Sequence, residues 1–212
     1  RLGAEAIKVE IPKVGDPVRQ NGPFVSTDGY HAKRPTEDCL STRFLKRNQG
    51  LKSVTLNLKD PEGRNMFLEM AKSCDVVVEN LSPGSMNRMG LGYQHVSQVN
   101  PQVIFCSISG YGQTGPNAGK PAQDPQIQGM SGIMDINGEP NGPPTRVGFY
   151  IGDLVTPMFA CYSIVAAMRE RDRTGLGQYL DVSMTDTLTS LMFMENLEEA
   201  METGEELRQG NN

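Results

Sequence analysis

Asp75-Val76-Val77-Val78-Glu79-Asn80 is the stretch that sets the architecture. Three consecutive valines between polar ends predict a strand buried on both faces, as in a parallel sheet, where no alternation with solvent is needed. Just upstream, Asp60-Pro61-Glu62-Gly63 predicts a helix start, with Asp60 as the cap and Pro61 at the first helical position. That helix is expected to run to about Ser73 and to turn Met66, Phe67, Met70 and Ala71 to one side. Before it, Ser53-Val54-Thr55-Leu56-Asn57-Leu58 alternates with period two and predicts a strand. Further back, the run Glu5 to Ile11 predicts another, stopped by Pro12. Residues 12–50 are rich in Pro, Gly, Asp and Arg, show no sustained period, and are expected to be a long irregular segment.

Downstream of the valines, short helices are expected around Ser85–Arg88 and Tyr93–Gln98, a strand from Gln102 to Ile108, and a glycine-rich loop at 110–116. Pro125 to Met134 is expected to be helical, with Ile127, Met130 and Met134 on its apolar side. A long helix from Leu154 to about Arg171 follows, then a turn at Thr174-Gly175-Leu176-Gly177 and a last strand, Gln178 to Val182. A final helix from Ser183 to about Glu206 turns acidic after Met194. Strand and helix in alternation give the fold class: α/β, a parallel helix-covered sheet. Residues 1–195 are expected to form the large domain. Residues 196–212 are expected to be an acidic helix end and a linker.

The composition bounds the function. With 37% hydrophobic and 21% charged residues among 212, the chain is of ordinary globular type. A net charge of −5 and the lack of a dense basic tract argue against nucleic acid as a partner. The longest apolar run, Leu154 to Met168, falls short of the ~20 residues that a membrane span needs. Four cysteines (39, 74, 106, 161) and two histidines (31, 95) show no metal spacing, so no metal is expected. Three of the thiols sit in apolar runs and read as buried thiols of a reducing compartment. The N-terminus shows no signal-peptide pattern. The expected location is cytoplasmic, or the mitochondrial or peroxisomal matrix in a eukaryote.

Three motifs carry chemistry, each with a plainer reading beside it. Gly110-Tyr111-Gly112-Gln113-Thr114-Gly115 matches the dinucleotide fingerprint letter for letter, but Pro116, Gly119 and Pro121 forbid the helix that should follow at once. A structural or substrate-covering loop fits better. Glu79-Asn80-Leu81-Ser82-Pro83-Gly84 lies where a buried strand ends, the place where open parallel sheets bind ligands. There Asn80 can hydrogen-bond a ligand and Arg88 can pair a phosphate. A bare turn with a surface arginine fits the spacing equally well. Asp153 follows a Gly/Pro-rich lead-in, Gly142-Pro143-Pro144 to Gly152, at the head of the apolar helix. Its plain reading is a helix N-cap. Its functional reading is a carboxylate nucleophile, stabilised by the helix dipole.

Taken together, the order of these stretches resembles the family III CoA-transferases (the CaiB/BaiF type, which includes formyl-CoA transferase and carnitine CoA-transferase). The matching segments are residues 2–10, 52–63, 75–80 with Pro83-Gly84, 89–93, 107–116, 142–153 and 173–178, nearly the whole chain. The resemblance implies a Rossmann-like large domain, a smaller second domain and an interlocked dimer, homomeric or formed with a homologue. It implies acyl-CoA and a free carboxylic acid as substrates, with Asp153 attacking the thioester. It implies CoA contacts at Leu56 and Lys59 on the second strand and at Asn80, Leu81 and Arg88 after the valine strand. An arginine frequent after the family's first strand is replaced here by Ile11. The resemblance further implies that a strand and helix precede Arg1 and that a small domain follows Asn212.

Two other functions fit such a chain. One is an acyl-CoA racemase or isomerase, but that branch pairs the aspartate with a histidine whose place is held here by Gln123, ahead of Asp124 and Ser131-Gly132. The other is a catalytically silent CoA-binding subunit of a hetero-oligomer. Tyr111, Gln113, Gln123 and Tyr150 are candidates for acceptor selection by their place among the motifs.

Overall fold

The computed structural model describes residues 3–192, 197–204 and 208. The chain divides into two compact units, Arg1–Glu69 and Met70–Asn212.

In the first unit, β1 (Ile7–Glu10) pairs in parallel with β5 (Lys52–Thr55), Ile7 opposite Lys52 and Glu10 opposite Thr55. The segment between them is not irregular. It holds a 3-10 turn at Pro17–Gln20, an antiparallel sheet of order β3-β2-β4 (β2 Phe24–Ser26, β3 Gly29–His31, β4 Leu40–Ser41), and α1 (Thr42–Arg47). Strands of two or three residues are too short to show a period, which is why the sequence gives no sign of them. Glu10, buried at the end of β1, organises the unit. Its Oε2 accepts the Asp16 N–H at 2.7 Å and Arg19 Nε at 2.8 Å, while Oε1 accepts Arg19 Nη2 at 2.8 Å and Ser53 Oγ at 2.6 Å. The bidentate Arg19 hydrogen bonds outweigh the cost of burial and hold the Glu10 carboxyl at a pKa of about 2. The Arg19 guanidinium in turn lies 3.8 Å from the centre of the Phe44 ring.

β5 stops at Thr55 rather than running to Leu58. Asn57 breaks it: its Oδ1 accepts the Lys59 N–H at 3.2 Å and its carbonyl accepts the Asp60 N–H at 2.9 Å, so Lys59 stands in a turn, not on the strand. Asp60 caps α2 (Pro61–Ala71) as expected, its Oδ1 accepting the Glu62 N–H at 2.9 Å. The buried residues of α2 are Gly63, Phe67 and Ala71, spaced by four, and Met66 is exposed.

In the second unit, β6 (Val76–Glu79), β7 (Ile104–Ser109) and β8 (Tyr179–Ser183) form a parallel sheet in that order. The valine strand is not buried on both faces: it borders the sheet, and Val78 is 54% exposed. The doubly buried strand is its neighbour β7, where Ile104, Phe105, Cys106 and Ser107 are all buried. One face of β7 packs Cys106 with Ala160 and Val182 under α7 (Ile151–Thr174). There burial, with the charges of Glu79 and Asp181, pushes the Cys106 thiol up to about 11. The other face sets the Phe105 ring against Tyr93 and Tyr179, at centroid distances of 6.4 and 6.1 Å.

The connections are helical, as parallel strands require. α3 (Ser85–Arg88) and α4 (Tyr93–Val99) join β6 to β7. Next, α5 (Asp124–Met130), α6 (Ile133–Ile136) and α7 join β7 to β8. Ser131-Gly132 splits the single helix expected from Pro125 to Met134: Gly132 adopts φ 89°, a left-handed conformation that costs glycine little. Met130 is therefore exposed, and Ile127 and Ile133 pack with Leu188 and Met192 of α8 (Met184–Met192). A further helix, α9, spans Leu197–Thr203; the acidic stretch after Met194 lies partly outside the described residues.

At 24 residues, α7 is longer than expected, and by length and composition it is apolar enough to cross a membrane. One side of it packs on β7, β8, α5 and α8. Its other side leaves Leu154, Met158, Tyr162 and Val165 exposed.

Candidate active site

Asp153 sits at the third residue of α7, in its first turn, and is exposed. It is not the N-cap: the helix begins at Ile151, and Tyr150, in the cap position, makes no side-chain capping bond. The orphan N–H groups of that first turn go instead to a residue on another helix. Asp124, the first residue of α5 and 3% exposed, accepts the Gly152 N–H at 2.7 Å and the Asp153 N–H at 3.2 Å on Oδ2. Its Oδ1 accepts Gln128 Nε2 at 2.6 Å. Every partner is a donor, which an acceptor-only carboxylate satisfies with both oxygens. Burying such a group costs several kcal/mol. Three hydrogen bonds to it, at about 1.5–3 kcal/mol each, are of a size to offset that cost.

Gln128 is fully buried and extends the same network along the lead-in. Its Nε2 also donates to the Phe149 carbonyl at 3.2 Å, and its Oε1 accepts the Val147 N–H at 3.0 Å. Further up the lead-in, the Thr145 N–H donates to the Met134 carbonyl at 2.8 Å and Asn137 Nδ2 to the Thr145 carbonyl at 2.9 Å. The segment before Asp153 is thus tied at Thr145, Val147 and Phe149 to α5 and the α6 region.

Two further residues shape the backbone at Asp153. A Cβ on Gly152 would stand 3.1 Å from Asp124 Oδ2, so the glycine allows the carboxylate to approach the helix end. Pro157 lies inside α7, four residues after Asp153. Lacking an N–H, it cannot donate the usual helical hydrogen bond to the Asp153 carbonyl. Sequence reasoning missed Asp124, Gln128 and Pro157 as site residues. The available signal was a polar pair at i, i+4 on a helix whose buried side also holds Ile127, and a proline within an otherwise helical pattern.

The second cluster lies in the turn after β6. Asn80 and Leu81 lie in it and Arg88 ends the short helix α3 that follows, all three exposed. The Leu81 N–H donates to Glu79 Oε2 at 2.8 Å. Arg88 folds back on the turn, Nη1 to the Pro83 carbonyl at 3.2 Å and Nη2 to Ser85 Oγ at 2.9 Å. The glycine-rich loop braces this turn: Gln113 Oε1 accepts the Gly84 N–H at 3.1 Å, and the Gln113 N–H donates to Asp181 Oδ2 at 2.8 Å. No helix starts after that loop until Asp124. A cleft of about 320 Å³ beside the turn is lined by Glu79, Gly84, Asn87, Ser107, Gln113 and Tyr179, among others.

Leu56 and Lys59 belong to the first unit. The Leu56 side chain is buried and its N–H donates to the Glu10 carbonyl at 3.0 Å; Lys59 is exposed. Among the acceptor-selecting candidates, Tyr150 is exposed, Tyr111 packs on the Ile127–Leu188 cluster, and the Gln123 N–H donates to Gln126 Oε1 at 3.1 Å. Among the described residues no group of three or more His, Cys, Asp or Glu side chains is arranged to hold a metal.

Comparison with known proteins decides what these clusters belong to. The sequence matches CoA-transferase family III over residues 1–212. The chain belongs to that family. Among family III members, it is 44% identical to the succinyl-CoA:glutarate CoA-transferase of Mus musculus over 184 residues, covering 86% of this chain and 39% of that protein. It is also 44% identical to the acetyl-CoA:oxalate CoA-transferase of Acetobacter aceti over 186 residues, covering 87% and 45%. The fold matches the crystal structure of a CaiB/BaiF family protein from Brucella suis with a TM-score of 0.87 at 34% identity, over 100% of this chain and 53% of that one. The chain therefore spans about half the length of the relatives it matches, and its mixed α/β architecture with parallel sheets is that of family III.

Proposed function

We propose that the protein transfers CoA from an acyl-CoA donor to a free carboxylic acid, with Asp153 as the nucleophile. The observation that carries this reading is the setting of Asp153: an exposed carboxylate in the first turn of a long helix, its backbone N–H bonded to buried Asp124, in a family III chain. The positive end of the helix dipole favours the ionised form that attacks.

The chemistry needs no outside electron or proton source. An Asp153 oxygen attacks the thioester carbonyl; the C–S bond breaks, leaving a mixed anhydride and CoA thiolate. The thiolate attacks the Asp153 carbonyl of that anhydride, releasing the donor acid and leaving an aspartyl-CoA thioester. The acceptor carboxylate attacks the Asp153 thioester carbonyl, expelling CoA thiolate and forming a second mixed anhydride; the thiolate then attacks that anhydride at the acceptor's carbonyl, giving the acceptor acyl-CoA and freeing the Asp153 carboxylate. Each step trades one activated acyl group for another, so no single barrier carries the whole exchange.

Asn80, Leu81 and Arg88 are proposed to contact CoA, with Arg88 as a charge-assisted phosphate donor. Leu56 and Lys59 are proposed CoA contacts on the strength of the family resemblance. The relatives' names give succinyl-CoA or acetyl-CoA as donor and glutarate or oxalate as acceptor, which supports a dicarboxylic acceptor here. We propose dimeric assembly, with which the exposed apolar side of α7 accords, and a cytoplasmic location. The test is a transfer assay on the full-length protein with succinyl-CoA or acetyl-CoA and a panel of dicarboxylates. Transfer that Asp153→Ala abolishes while circular dichroism stays unchanged is expected; undiminished transfer by Asp153→Ala would refute the reading.

A further inference from the structure

We propose that Asp124, with Gln128 behind it, is the positioning residue for Asp153: it sets the direction of the nucleophile by holding the backbone of the first turn of α7. This rests on the reading of Asp153 as nucleophile. The structural grounds are independent of that reading. Asp124 is buried at the start of α5, yet it spends one oxygen on the N–H groups of Gly152 and Asp153, 28 and 29 residues away. Its other oxygen takes Gln128 Nε2, and Gln128 holds the lead-in at Val147 and Phe149. The chain entering Asp153 and the peptide N–H of Asp153 itself are thus referred to one helix, α5. Pro157, four residues on, has no N–H to donate to the Asp153 carbonyl. The N–H groups at this helix end are also occupied by Asp124, which makes them a support for the site and not a place for a substrate anion.

Asp124→Asn is the discriminating variant. An amide keeps the shape but offers one acceptor oxygen where the site has donors on both sides, so its NH₂ group meets either Gln128 or the helix end. Misplacement of a reacting group by about 1 Å costs on the order of 100-fold in rate. In the full-length protein assayed with succinyl-CoA and glutarate, we expect kcat per active site to fall by about 10- to 100-fold, with the KM for succinyl-CoA changed by less than about threefold. Active sites are counted by hydroxylamine-trapped adduct on Asp153, so a poorly folded fraction does not enter the rate. Gln128→Met, which keeps length and loses the polar atoms, is the milder second variant and is expected to lower kcat in the same sense. Unchanged kcat per titrated site in both variants would overturn the positioning role while leaving Asp153 as nucleophile intact. Absence of any adduct on Asp153 in the unmodified protein would instead overturn the nucleophile reading, and this inference with it.

Discussion

The carboxylate of Asp124 accepts the backbone N–H of Gly152 at 2.7 Å, at a point where a Cβ on residue 152 would lie 3.1 Å from the same oxygen. A side chain at 152 would crowd that hydrogen bond, and would stand equally close to the Met184 Cε. Gly152→Ala gains roughly 0.5–1 kcal/mol of helix propensity, but weakens hydrogen bonds to a charged group worth about 1.5–3 kcal/mol each. The second effect is the larger. The variant is expected to unfold about 1 kcal/mol more easily, and to lose transfer rate. Urea denaturation and kcat measured on the same preparation check both signs.

Pro157 lies inside α7, where proline costs up to ~3 kcal/mol in a helix interior. Pro157→Ala restores an N–H for the Asp153 carbonyl, and only about 0.4–1 kcal/mol of that gain is returned through a freer unfolded chain. The variant is expected to melt higher and to turn over more slowly, because the Asp153 carbonyl gains a helical hydrogen bond. Differential scanning calorimetry with steady-state kinetics tests the opposed changes; a higher melting temperature with unchanged kcat would mean that the proline has no bearing on the nucleophile.

Arg88 offers its guanidinium at the exposed turn after β6, held by the Pro83 carbonyl and Ser85 Oγ. A charge-assisted hydrogen bond to a phosphate is worth about 1.5–3 kcal/mol. Arg88→Met is expected to weaken CoA binding by about 10-fold or more and to flatten its dependence on ionic strength. Isothermal titration calorimetry at two salt concentrations measures both; unaltered affinity removes Arg88 from the CoA contacts.

Glu10 carries a pH signature. Its carboxyl titrates at about 2 in the folded chain against an ordinary 4.5, because Arg19 above all, then Ser53 and the Asp16 N–H, bond the ionised form. A lowered folded-state pKa gives stability that is full above pH 4.5 and is lost as pH falls towards 2. Glu10→Gln is expected to destabilise the protein by about 3 kcal/mol near pH 7, and the gap to the parent should close as acid is added. Chemical denaturation at neutral pH and at pH 3 reads that convergence.

How much of this was legible in the sequence follows from length scales. β7, the pair α3 and α4, the Asp60 cap and the last strand each signal themselves within a dozen residues, and all stand where expected. The short strands at 24–41 did not, because two or three residues cannot display a period. Val78 misled because a run of valines records β preference, whereas burial on both faces depends on what packs over each face of the sheet. At the site, Asp153 could be picked out by its motif and its helix. Asp124 could not be assigned its role, since the hydrogen bonds to Gly152 and Asp153 span 28 and 29 residues and no local rule pairs them. The N-cap reading failed for the same reason: the cap exists but is supplied by another helix.

The central claim is that Asp153 becomes covalently acylated and then thioesterified during turnover. The direct measurement is mass spectrometry of the peptide containing Asp153 after the full-length protein has been incubated with succinyl-CoA and quenched with hydroxylamine. The account predicts a hydroxamate on Asp153 that depends on succinyl-CoA and disappears on adding excess acceptor acid. Efficient transfer with Asp153 unmodified under the same trapping conditions would contradict it.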